Sequence, residues 1–289
     1  MLPRLPIVLA LTVPLACALA APLALDACKG DDGGAATDAG AVADSCAILF
    51  GNPNAQTGLG PDQCQPQCSC GGALFVPPVY SAAFIESLVD DWQLATPYPP
   101  LTSNPYDAPA PPDDPEATVC AVLPNPPAGQ GPRTYTLVTY ASSEAASAAG
   151  ASITHFGHCG VCSTLANLAV YMRENDLTAP VRACGLMPSV DGGNADVTCL
   201  EQLGFDLPCA QAWAYDTNNT RNVCIGTCLT TLNDPYNLPD GALSPCIECD
   251  EVMSGPVFKS VAGRTRRNSG LPNAICRPCD QVQPLVHDY

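Results

Sequence analysis

"HFGHCGVCST", residues 155–164, places two histidines and two cysteines within eight positions. The chain turns here from extended-type residues to a helical pattern. Ala151 to Phe156 reads as a short strand, and Ser163 to Leu177 (STLANLAVYMRENDL) sets Leu165, Leu168, Ala169 and Met172 on one face, with Arg173, Glu174 and Asp176 away from it. Whether the stretch is a chemical site or a structural staple decides how the rest is read. In a cytosolic chain, C-x-x-C beside histidines means metal or redox chemistry; in an exported chain the same thiols are read first as disulfides.

The N-terminus points to export. MLPRLPIVLALTVPLACALAAPLAL has one basic residue, Arg4, ahead of a long apolar run, the layout of a secretory signal peptide over residues 1–27. Leu25-Asp26-Ala27-Cys28 resembles a bacterial lipobox, which implies lipidation at Cys28. Cysteine arithmetic agrees with that resemblance. Of 18 cysteines, Cys17 falls in the leader and Cys28 takes the lipid, so an even number remains to pair. The expected protein is extracellular or held in the cell envelope as an outer-membrane lipoprotein, touching the membrane only through Cys28. A formal net charge of −17 argues against nucleic acid as a partner.

After a flexible acidic tether (28–45) comes a Cys-rich segment (46–95) with one helix. Phe84, Leu88 and Trp92 follow helical spacing there, and Ser81 stands as N-cap. Residues 96–132 hold 12 of the 31 prolines and read as extended surface chain or linker, pinned at Cys120. The main part (133–289) starts with TYTLVTY at strand density and a short alanine-rich helix over Ser142–Gly150. Cys224 and Cys228, four apart, share one helix face and can both reach a neighbouring helix. The fold class expected is mainly α, an α+β chain with a short β element, disulfide-rich and exported.

Three chemistries compete with the staple at the opening stretch. Cys159-Gly160-Val161-Cys162 resembles the C-G-x-C of thioredoxin-like proteins, which implies a thiol–disulfide oxidoreductase using Cys159 and Cys162 with His158 beside them. The same four residues resemble the cysteine stretch of papain-like proteases, which implies Cys162 as nucleophile and His287 as base. Ser163 replaces that family's aromatic residue, and too little chain follows His287 to supply an orienting residue. His155, His158, Cys159 and Cys162 are also metal-ligand types, as are the C-x-x-C pairs 246/249 and 276/279. Oxidation outside the cytosol competes with metal capture, so no metal and no cofactor is assigned. The staple is the favoured reading, and a non-enzymatic binding or structural role is the favoured function.

One charge feature departs from the acidic background. Lys259, Arg264, Arg266, Arg267 and Arg277 are five of only 11 basic residues. Either they pair with acids such as Asp250 and Glu251, or Lys259, Arg264, Arg266, Arg267 and Ser269 hold an anionic ligand. The partner expected is accordingly an unidentified anionic ligand or an extracellular protein.

Overall fold

The computed structural model describes residues 46–69, 74–108, 118–126, 129, 131–187, 195–231 and 233–289. The leader, the tether and Cys28 lie outside the described residues. In chain order the described elements are β1 (Leu49–Phe50), β2 (Cys64–Gln65), α1 (Ala82–Asp90), β3 (Trp92–Leu94), β4 (Val119–Pro124), β5 (Arg133–Tyr140), α2 (Ser143–Ala148), β6 (Ser152–Phe156), α3 (Leu165–Arg173), α4 (Thr178–Gly185), α5 (Ala195–Gln202), α6 (Leu207–Thr230), α7 (Pro245–Met253) and α8 (Gly255–Ala262). This is an α+β, disulfide-rich protein.

Strands β3, β5, β4 and β6 form a sheet in that order, β3 parallel to β5 and the other pairs antiparallel. The inner strand β4, VCAVLP, comes from the proline-rich stretch read as surface chain. Val119 to Val122 are four consecutive buried residues flanked by prolines on both sides. A short run of this kind carries little periodicity, and proline density masks it. Trp92, assigned to a helix by its spacing, is instead in β3, because α1 stops at Asp90.

Helix α3 begins where the sequence places it, with Thr164 as N-cap accepting from Asn167 N–H. Its amide at Leu165 also donates to the Tyr135 hydroxyl on β5 at 2.9 Å, which fixes the helix against the sheet. Leu165, Leu168, Ala169 and Val170 are buried. Each large apolar side chain there contributes about 1.5–3 kcal/mol relative to exposure. Ser81 caps α1 as expected, and Asp206 caps α6.

Seven disulfides are formed among the described residues: 64–276, 68–279, 120–159, 162–209, 184–199, 224–249 and 228–246. Cys224 and Cys228 do share a face of α6 and both reach α7, fixing an α6/α7 hairpin by two rungs. Two bridges with separations of 212 and 211 residues tie the Cys-rich N-terminal segment to the 276–279 turn. In the chain-entropy picture such long loops restrict the unfolded chain most, by about 5 kcal/mol for one bridge taken alone. Disulfide bonding on this scale is typical of exported proteins, and no helix among the described residues is long and apolar enough to cross a membrane.

Candidate functional site

The opening stretch is spent on structure. Cys159 pairs with Cys120 on the adjoining strand and Cys162 with Cys209 at the start of α6, so the two cysteines do not form a dithiol pair with one another. The 246/249 and 276/279 pairs likewise bridge outward to α6 and to the N-terminal segment. Thiolates are what a metal site or a nucleophile needs, and these sulfurs are oxidised. His158 Nε2 donates to the Ser260 carbonyl at 2.7 Å, and His155 Nε2 faces Ser163 Oγ. Among the described residues no group of three or more His, Cys, Asp or Glu lies close enough to hold a metal ion.

The turn is also zipped to the end of α8. Val161 and Cys162 N–H donate to the carbonyls of Val261 and Ala262, both at 2.9 Å. A Cβ on Gly160 would lie 2.4 Å from the Val261 oxygen, and one on Gly263, at φ 73°, would lie 2.5 Å from Gly160 N. Two glycines are needed for backbones to approach this closely.

The basic cluster divides by depth. Arg264 is fully buried, and its hydrogen bonds among the described residues go to carbonyls and hydroxyls. Its five donors reach the Cys162 carbonyl, both oxygens of Thr154, the Ser163 carbonyl and Ser269 Oγ. Arg264 and Ser269 are therefore a core knot. Arg267 and Arg277 clamp the two oxygens of Glu251, and Lys259 stays exposed. Arg266 is buried with Nη1 on the Pro272 carbonyl and its Cζ 5.6 Å from the centre of the Tyr171 ring. Burial pushes its pKa down to about 10.

Arg266, Arg267, Arg277 and Lys259 all line one cleft of about 1020 Å³, walled by α4, α6, α7, α8 and the 265–283 segment. Arg182 and Arg221 join them, so six of the 11 Lys and Arg face one cleft beside four carboxylates. In a chain with formal charge −17 this reverses the local sign. Trp213 and Phe258, with ring centres 4.4 Å apart, form part of the apolar wall, and Leu186, Ile225 and Leu229 lie exposed along it.

Two acidic residues of the cleft, Asp216 and Asp250, are largely buried. Tyr106 Oη lies 2.8 Å from Asp216 Oδ1 and 3.1 Å from the Ser254 carbonyl. The single Tyr106 proton is offered to both the Asp216 carboxyl and the Ser254 carbonyl, and a proton on Asp216 would free Tyr106 to serve Ser254 alone. Burial, with Asp250 close by, holds the Asp216 carboxyl well above the usual range. Burial also pushes Asp250 up to about 6, opposed by the hydrogen bond from Thr220. Ser254 Oγ in turn receives Asn219 Nδ2 and sits 2.6 Å from Thr220 Oγ1.

Arg182, Arg221, Tyr171, Trp213, Asp216 and Asn273 are cleft residues not picked out from the sequence. One signal was present: Asp216 stands on the stripe 209, 212, 216, 220, 224 of α6, whose cysteines and Ala212 are buried. An acid on such a stripe must be neutralised or partnered.

Residues 194–285 match a family of unknown function (DUF8771). That span takes in α5 to α8 and much of the cleft wall. No curated protein and no solved structure matches the chain.

Proposed function

We propose that this is an exported, non-enzymatic binding protein that holds a small anionic ligand in the cleft and is tethered to the cell envelope by a lipid on Cys28. The observation that carries the binding reading is Arg266: a buried guanidinium without a carboxylate partner among the described residues, on a cleft that gathers most of the chain's positive charge. Burying a charge unpaired costs several kcal/mol, and an incoming anion offsets that cost. The disulfide density supports export, and the even number of cysteines left after the leader and Cys28 supports the lipid. The closed cysteine pairs at residues 159 and 162 weigh against thiol chemistry. Lys259, Arg267 and Arg277 supply the surrounding positive potential, while Arg264 and Ser269 hold the wall in place.

The reading is tested on the exported protein by calorimetric titration with 1-anilinonaphthalene-8-sulfonate, an anion with an apolar body. Saturable one-to-one binding is expected, weakening as salt is raised. The Arg182→Gln/Lys259→Gln variant should bind about tenfold more weakly at low salt with an unchanged melting temperature. Absence of saturable binding, or binding indifferent to both salt and the variant, removes the reading. Mass spectrometry of the N-terminal peptide tests the tether: an unmodified Cys28 thiol removes it.

A further inference from the structure

We infer that the ligand is an organic carboxylate with an apolar body, seated head-first on Arg266; this rests on the binding reading above and names its ligand class. Four buried side-chain polar atoms of the described residues have no well-formed hydrogen bond: Arg266 Nη2, Trp213 Nε1, Tyr171 Oη and Asn273 Oδ1, of which the Trp213 and Tyr171 groups approach each other. All four belong to residues that line the cleft. Leaving such an atom unpaired is costly, and the same chain satisfies all five donors of Arg264 only a few residues away. Unpaired groups gathered at one cavity are available to something that enters it.

The four residues are neighbours. Arg266 lies over the Tyr171 ring, the Tyr171 and Trp213 ring centres are 6.5 Å apart, and Asn273 follows Pro272, whose carbonyl holds Arg266 Nη1. Three of the orphaned groups can donate, and one of them is a guanidinium, whose planar fork matches a carboxylate. Asn273 Oδ1 can only accept, so it suits a hydroxyl or amide N–H on the carbon next to that carboxylate. The rest of the wall excludes a bare inorganic anion. The Trp213 and Phe258 rings line it, and Leu186 and Ile225 stand exposed along the cleft. Sulfate or phosphate would leave that surface wet, whereas an aryl or acyl body covers it.

The experiment is calorimetry of the exported protein with 4-phenylbutanoate, 4-phenylbutanamide and sulfate as separate probes. The carboxylate should bind at least tenfold more tightly than the amide, with sulfate showing no saturable heat. Tyr171→Phe and Trp213→Phe each remove an orphaned polar atom while keeping a ring. They should leave the melting temperature of the free protein equal or raised, yet weaken 4-phenylbutanoate about three- to tenfold. No binding of the carboxylate, equal binding of carboxylate and amide, or variants with unchanged affinity overturns the inference. If 1-anilinonaphthalene-8-sulfonate still binds with salt dependence in those cases, the binding reading stands and only the carboxylate assignment falls. Saturable binding of sulfate alone would make the site one for an inorganic anion.

Discussion

His155 Nε2 lies 2.6 Å from Ser163 Oγ, and His155 Nδ1 lies 3.0 Å from the Phe156 carbonyl. Since a carbonyl only accepts, Nδ1 carries the proton and Ser163 donates to Nε2, while Gly160 N–H donates to Ser163 Oγ at 2.8 Å. This is the tautomer a serine nucleophile and its base would use. Both residues are fully buried, however, so no substrate reaches the hydroxyl. The pair holds the turn between β6 and α3. His287 is fixed in the same manner, with Nε2 donating to the Ser269 carbonyl and Nδ1 accepting from the Tyr289 hydroxyl, both at 2.9 Å.

Neutral buried imidazoles set the acid response. Burial and then the Arg264 charge hold His155 well below 6.5 and His287 at about 3. As pH falls below 6.5, the unfolded chain takes protons that the native state refuses, so each histidine withdraws up to about 1.4 kcal/mol of stability per pH unit. Asp216 and Asp250 act in the opposite sense. Their folded pKa values are raised above 3.8, so the native state takes protons first; for Asp250 stability is gained as pH falls from about 6 to 3.8, and for Asp216 the change has the same sign. The two effects oppose one another until the unfolded carboxyls also protonate. Urea midpoints are therefore expected to stay nearly level from pH 6 to 4 and to drop steeply below 4. A steady decline beginning at pH 6 would contradict the carboxyl assignments.

Asp216 gives a sharper test. If the Asp216 proton sits between its own Oδ1 and Tyr106, an amide supplies the same donor without the cost of retaining a proton. Asp216→Asn should stabilise the protein, with the gain growing by up to about 1.4 kcal/mol per pH unit above pH 4. Denaturant titrations at pH 5 and pH 8 measure this. A loss of stability at pH 8 would mean that the carboxylate is ionised and needed.

What the sequence revealed follows from the range of the interactions. The cap at Ser81, the α3 stripe and the shared face of Cys224 and Cys228 depend on residues within one or two helical turns, and they stand as expected. Strand β4 depends on β5 and β6 to cover it, and its own proline-flanked run carries no alternation. The basic cluster was visible as composition, but its division was not: Arg264 becomes a core residue only because Thr154 and Cys162 arrive from over a hundred positions away. The surroundings of Asp216 are equally non-local, since Tyr106 reaches it from 110 positions away.

That division predicts unequal costs for two arginines three positions apart. Arg264→Met deletes five donors and leaves the buried carbonyls of Cys162, Thr154 and Ser163 bare, which should cost about 3–5 kcal/mol. Arg267→Gln removes one arm of the partly exposed clamp on Glu251 and should cost about 1 kcal/mol or less, because Arg277 keeps its own contact. Chemical denaturation of the two variants side by side makes the comparison. Similar losses would show that Arg264 is not the internal tie described.

The bridges of the opening turn should differ from a working thiol pair in how they respond to reductant. Cys162 and Cys209 are both fully buried, as is Cys120, while Cys159 is partly exposed. Thiol–disulfide exchange needs in-line approach to a sulfur, so the 162–209 bridge should survive a mild reductant for as long as the fold is intact and open together with global unfolding. Differential alkylation read by mass spectrometry, with circular dichroism on the same samples, follows both events. Peptides joining 120 to 159 and 162 to 209 are expected before reduction. A peptide carrying a 159–162 bridge, or selective labelling of those two cysteines with the spectrum unchanged, would return the turn to redox chemistry, because both sulfurs would then be reachable and able to cycle.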